Sequence, residues 1–336
     1  MSLAKTIICL SCLMSPVMAD DESTPSAVAE TIKNLKESDT VVDLSWGGLS
    51  ALPDKVLGMP NLLEITCSRN NFKTLEPFAR FSKLERLSVD RNSIEALKGI
   101  ENLTTLKKLA LYNNGIKDLK GIETLVNLEE LFLDMNDIES LDPLKNLTKI
   151  TSLSLSKNGI KDLVPLRGLS KLTFLYLDWN PIENVEGLES LTSLTELYLD
   201  NNNIQDATGL QGLKNLRVLS LTGNKMTSAK SLAPLGHLNE LTINNNQLTN
   251  LEGLENYTKT VVLKIGNNKL KDLKGIEQMQ GLVNLYIDGN KDLVSLKGIE
   301  KLPNLAYVSA GNLPRLDKAS KALLKALIKR GVQVDM

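Results

Sequence analysis

The chain has 336 residues and a formal net charge of −1, so it lacks the basic excess expected of a nucleic-acid-binding surface. One histidine and three cysteines leave little for a metal cluster or a disulfide framework, and no cofactor is expected. Aromatic residues make up only 4% of the chain, which makes their placement informative.

Residues 1–19 carry the marks of a secretory signal. Lys5 gives a basic start, TIICLSCLMSPV an apolar stretch, and VMA a small-residue cleavage pattern ending at Ala19. The apolar stretch is too short to span a bilayer comfortably, and no later segment of spanning length follows. A buried N-terminal helix is the competing reading. Cleavage would remove Cys9 and Cys12, leave Cys67 without a disulfide partner, and make the mature protein secreted or periplasmic. Residues 20–40 read as a linker and an N-terminal cap helix, because TPSAVAETIKNLKES at 24–38 spaces Val28, Ile32 and Leu35 helically.

Residues 41–316 are built from one repeat. Asparagines stand at 70, 92, 114, 136, 158, 180, 202, 224, 246, 268 and 290, every step being 22 residues. Around each, apolar residues recur at −8, −5, −3, +2, +5, +8 and +11. Around Asn114 these are Leu106, Leu109, Leu111, Ile116, Leu119, Ile122 and Leu125. Gly47 and Leu313 take the asparagine position in a further copy at either end. The stretch from −6 to −2 alternates with period two and predicts a short strand. Gly or Pro often stands at +7, and too few residues remain for a crossover helix, so 3-10 or extended segments are expected there. A single unit cannot bury its seven apolar side chains, whereas stacked units share one continuous core. Stacked asparagines can satisfy main-chain groups of neighbouring turns, so they form a structural ladder rather than a catalytic row.

This pattern resembles the leucine-rich repeat L-x-x-L-x-L-x-x-N-x-L, of the 22-residue type found in bacterial internalins, over roughly residues 41–316. The resemblance implies an α/β solenoid: a leucine-rich-repeat horseshoe with a parallel concave β-sheet, 3-10 or extended convex segments, and helical N- and C-terminal caps. It also implies binding of a partner protein through the concave face, with adhesion or host-receptor recognition as the specific role.

Residues 317–336 read as a C-terminal cap helix and tail. DKASKALLKALIKRG at 317–331 begins on a candidate N-cap, Asp317, ends on Gly331, and sets Leu323, Leu324, Leu327 and Ile328 on one face. Contact with a membrane surface is the competing use of such a basic amphipathic helix.

Positions −6, −4 and −2 alternate with the core leucines and so face outward on the strand side. Phe72, Phe78, Phe81 and Tyr257 fall on core positions. The remaining aromatics fall on the strand face or its rim: Trp46, Tyr112, Phe132, Phe174, Tyr176, Trp179, Tyr198, Tyr286 and Tyr307. Clustered outward aromatics usually mark a binding surface, although they can also merely stiffen a sheet. Tyr112, Phe132, Phe174, Tyr176, Trp179 and Tyr198 gather in the middle repeats beside Asp134, Asp178 and Asp200, and these nine are the candidate partner-binding residues. Residues 22 apart should be side-by-side neighbours, placing Tyr176 beside Tyr198 and Asp178 beside Asp200. Two adjacent carboxylates repel each other, so the expected partner is another protein offering a basic segment. A glycan- or small-ligand-binding sensor, assisted by calcium, is the alternative. Glu64, Arg86, Lys108 and Glu130 share the −6 column and should pair among themselves.

Enzyme chemistry is not expected. Cys67 falls at a core −3 position, His237 falls in a turn far from it, and no phosphate-binding glycine loop precedes a helix.

Overall fold

The computed structural model describes residues 25–336. The signal predicted over 1–19, with Cys9 and Cys12, and the start of the linker lie outside the described residues.

Among the described residues, fourteen parallel strands stand in chain order in one sheet, from β1 (Val41–Asp43) to β14 (Gln333–Asp335). Each is three residues long, and the repeat fixes their register, as Leu153↔Leu175↔Leu197 shows. The leucine and isoleucine positions of the frame are almost wholly withdrawn from water and form one core along the solenoid. Opposite the strands run 3-10 turns such as Ile122–Thr124 and Val164–Gly168. Gly187 at +7 has φ 98°, and its N–H is accepted by Glu189 at 2.7 Å. A Cβ there would come within 2.5 Å of the Leu163 carbonyl oxygen, so both conformation and space demand glycine. Where proline replaces it, as at Pro143 and Pro165, the ring sits in the first turn of the 3-10 segment, where its missing N–H has no partner to lose.

The asparagine ladder is present as expected. Asn180 Nδ2 donates to the carbonyls of Leu177 in its own turn and Leu155 in the preceding one, both at 3.0 Å. Its Oδ1 accepts the Ile160 N–H at 3.1 Å. The same three bonds occur at Asn70 and at Asn290.

Both ends are closed by helices. α1 (Pro25–Asn34) buries Val28 against the first turn, and a Cβ on Gly47 would meet Val28 Cγ1 at 3.1 Å. Among the described residues, no repeat turn precedes it for an asparagine to serve. A four-residue helix, α2 (Asp54–Leu57), stands where extended or 3-10 chain was expected. α3 (Lys318–Lys329) starts on Asp317, which accepts the Ser320 N–H at 2.7 Å, and stops before Gly331, φ 91°. The tail expected after it is a strand: β14 pairs with β13 (Tyr307–Ser309), Val334 opposite Val308. Among the described residues, no helix is long and apolar enough to cross a membrane.

Candidate partner-binding face

Four central strands carry the aromatic cluster: β5 (Glu130–Phe132), β6 (Ser152–Ser154), β7 (Phe174–Tyr176) and β8 (Glu196–Tyr198). Register sets Phe132, Ser154, Tyr176 and Tyr198 side by side, and likewise Glu130, Ser152, Phe174 and Glu196. Tyr176 and Tyr198 stack at 4.9 Å between centroids, 7° from parallel, as their spacing predicted. Tyr176 is thereby only 6% exposed, while Tyr112, Phe132, Phe174 and Tyr198 are half-buried. Trp179 is 56% exposed and projects from the rim just past β7.

Sequence reasoning missed the serines between these rings. Ser152, Ser154 and Ser156 all face the strand side yet are buried, because they are short and stand between Phe132 on one flank and Phe174 and Tyr176 on the other. Two strand spacings, about 10 Å, separate the flanks, so aromatic walls stand on either side of a strand-wide slot whose serine floor is withdrawn from water.

The aspartates play a different part from the one expected. Asp178 Oδ1 accepts the Asp200 main-chain N–H at 2.8 Å, and Asp200 Oδ1 accepts the Thr222 N–H at 2.7 Å. Asp134 Oδ1 accepts the Ser156 N–H at 2.9 Å and the Ser154 hydroxyl. Asp90, which the sequence reading did not single out, accepts the Tyr112 N–H at 3.0 Å. Each carboxylate thus ties one turn to the next from the strand side. Asp134 and Asp178 are buried in doing so, and Asp134 Oδ2 is buried with no hydrogen-bond partner. Burial pushes the Asp178 carboxyl up to about 7, reinforced by the Asp200 charge, and burial likewise raises Asp90 to about 7. The expectation of a basic partner rested on exposed, mutually repelling carboxylates. The repulsion exists, but two of the three carboxylates are turned inward and hold main-chain N–H groups. Elsewhere on the face Arg86 meets Glu64 at 2.6 Å and Lys108 meets Glu130 at 3.0 Å, the self-pairing the −6 column predicted.

Nothing here assembles into a nucleophile–base pair. Cys67 is buried, and burial, with the Asp43 charge, pushes its thiol far above the ordinary range. His237 is half-buried in its turn, with Nε2 3.0 Å from the Leu213 carbonyl. Among the described residues, no three His, Cys, Asp or Glu side chains are placed to hold a metal ion.

The comparisons with known proteins agree with this architecture. A two-copy model of leucine-rich repeats matches residues 104–146 and 148–190, and a second leucine-rich-repeat model matches 192–248. Residues 104–248 thus carry recognised leucine-rich repeats. Among solved structures, the chain is similar to the internalin InlF of Listeria monocytogenes, at 24% identity and TM-score 0.77 over 87% of this chain and 93% of that one. A leucine-rich-repeat protein of Leptospira interrogans matches at 22% identity and TM-score 0.61, over 92% and 98% of the two chains. The functional domain of InlJ from Listeria monocytogenes, which includes a cysteine ladder, matches at 22% identity and TM-score 0.69 over 82% of this chain and 61% of that one. No curated protein matches the sequence. The fold is therefore internalin-like, and its ladder is built of asparagine. Leucine-rich-repeat proteins are in general binding scaffolds rather than enzymes.

Proposed function

We propose that this protein is an extracytoplasmic, non-enzymatic scaffold that binds another protein on its concave face, centred on the slot over β6. The observation that carries this reading is the set of three buried serines between Phe132 and the Phe174–Tyr176 pair. A solenoid needs no aromatic walls on its outer sheet surface, since the leucine core and the asparagine ladder already hold the turns. Aromatic rings flanking a row of short side chains give a partner side chain apolar area to bury against. Trp179 at the rim adds a large ring in reach of the same partner. Stacking leaves Tyr176 and Tyr198 presenting edges more than open faces, which favours a protein side chain over a sugar ring needing a flat platform. The extracytoplasmic assignment is supported by the signal-like pattern of residues 1–19.

The test places a photo-crosslinking amino acid at position 174 and, as control, at the exposed Lys145 on the opposite side. A discrete protein adduct formed from position 174 and not from 145 supports the reading. Equal labelling from both positions, or adducts to carbohydrate alone, contradicts it.

A further inference from the structure

The residue just before each ladder asparagine adopts a left-handed backbone in turn after turn. Trp46, Arg69, Arg91, Met135, Lys157 and Trp179 have φ between 53° and 65°. Only Gly and Asn take this conformation readily, and for bulky side chains it is an outlier held in place by the surrounding structure. From the middle of the solenoid onward the chain supplies the favoured residues: Asn201, Gly223, Asn245, Asn267, Gly289 and Asn312. Asn113 is the one such residue in the first half. The backbone requirement is the same throughout, so fold stability does not explain why the first half departs from it. Something that uses the side chains does.

Those side chains form an ordered ridge along one rim of the strand face. Each cation lies against an aromatic ring: Arg69 at 3.9 Å from the Trp46 centroid, Arg91 at 5.7 Å from Tyr112, and Lys157 at 6.0 Å from Trp179. Arg69 and Arg91 occur in adjacent turns and in none of the salt bridges among the described residues. Arg91 is half-buried, with its Nε withdrawn from water and without a hydrogen-bond partner. No acidic residue holds a ridge position. Trp46 and Trp179, at the two ends, are 45% and 56% exposed.

From this we infer that the ridge from Trp46 to Trp179 binds an extended, acidic segment of the partner protein. The inference rests on the protein-binding reading above and adds the chemistry of the segment. Six strand spacings separate the two tryptophans, roughly 30 Å, which an extended segment of about nine residues spans. Its carboxylates would pair with Arg69 and Arg91 at one end and Lys157 towards the other, with an apolar residue over Met135 and ring contacts at both tryptophans. The column next to the rim carries Asp90, Asp134, Asp178 and Asp200, each accepting a main-chain N–H, which favours a segment with separated carboxylates over a continuous polyphosphate.

Selection from a display library of random dodecapeptides tests this on the mature protein, on Arg69→Asn/Arg91→Asn, and on Phe174→Ala. Asparagine suits the left-handed backbone, so the arginine double variant should melt no lower than the parent. The expected result is a set of peptides rich in Asp and Glu with interspersed aromatic or aliphatic residues. Their affinity should fall about tenfold or more on Arg69→Asn/Arg91→Asn. Peptides that are basic or neutral, or that bind the arginine variant unchanged, overturn the ridge; if they are lost on Phe174→Ala, the slot reading survives alone. Equally tight binding of single-stranded DNA or heparin at the same arginines overturns the commitment to a peptide. Failure to enrich any peptide on the parent overturns both readings.

Discussion

Asp178 is 4% exposed, accepts the Asp200 N–H, and feels the Asp200 charge, which together with burial raises its carboxyl to about 7. Asp90 is raised to the same level. Both hold a proton more tightly folded than unfolded. Their contribution to stability is therefore fully favourable below about pH 4, is lost as pH rises to about 7, and is constant above that. Asparagine at position 178 keeps the acceptor and removes the charge; Asn244 already does this, taking the Gly266 N–H at 2.7 Å. Asp178→Asn should exceed the parent in stability at pH 8, by on the order of a few kcal/mol, with the difference closing by about pH 4. Urea titrations at both pH values check it; a variant weaker than the parent at pH 8 would show that the charge itself is needed. Trp179→Asn should likewise hold or raise the melting temperature, because it relieves a bulky residue at φ 58°.

At the scale of single turns, the asparagines decide stability. Asn180 satisfies two carbonyls and one N–H in a place water does not reach. Asn180→Ala should cost about 2–4 kcal/mol and speed hydrogen exchange at the Ile160 amide, whose acceptor it removes. Unchanged exchange at Ile160 would mean that another group takes over the bond. The 22-residue frame made the strands, the 3-10 side and this ladder legible in the sequence. It misplaced two elements, because α2 and β14 lie at the ends, where the frame lapses and cap packing decides. The site was less legible. Period two tells which side of a sheet a residue faces, not whether water reaches it. Asp134, Asp178 and Tyr176 face the strand side and are nonetheless buried, by main-chain hydrogen bonds and ring stacking. The slot over β6 was hidden for the opposite reason, since serine carries no signal until its neighbours are known. The left-handed rim could have been read from the run of Asn and Gly before the ladder in the later repeats.

Across the whole molecule, the residues that stack the turns and those proposed for recognition run in separate columns. Leucines and asparagines carry the stacking, and the strand-side aromatics and the rim vary from turn to turn. The ends are the exposed liability of such an array. α3 and β14 cover the last turn, with Leu324 and Leu327 in the core and Tyr307 bonded to Asp335. Removing residues 317–336 should bare the β13 edge and Leu313 and drive self-association, seen as a shift to larger species in size-exclusion chromatography. A monomeric truncated protein would show that the final turn needs no cover. The division of labour is tested most directly by pairing two readouts on Phe174→Ala/Trp179→Asn: the melting temperature, and the affinity for the protein captured from position 174. The account predicts binding weakened by about thirtyfold or more with the melting temperature unchanged or raised. A melting temperature that falls by several degrees while the folded variant binds as tightly as the parent would contradict it.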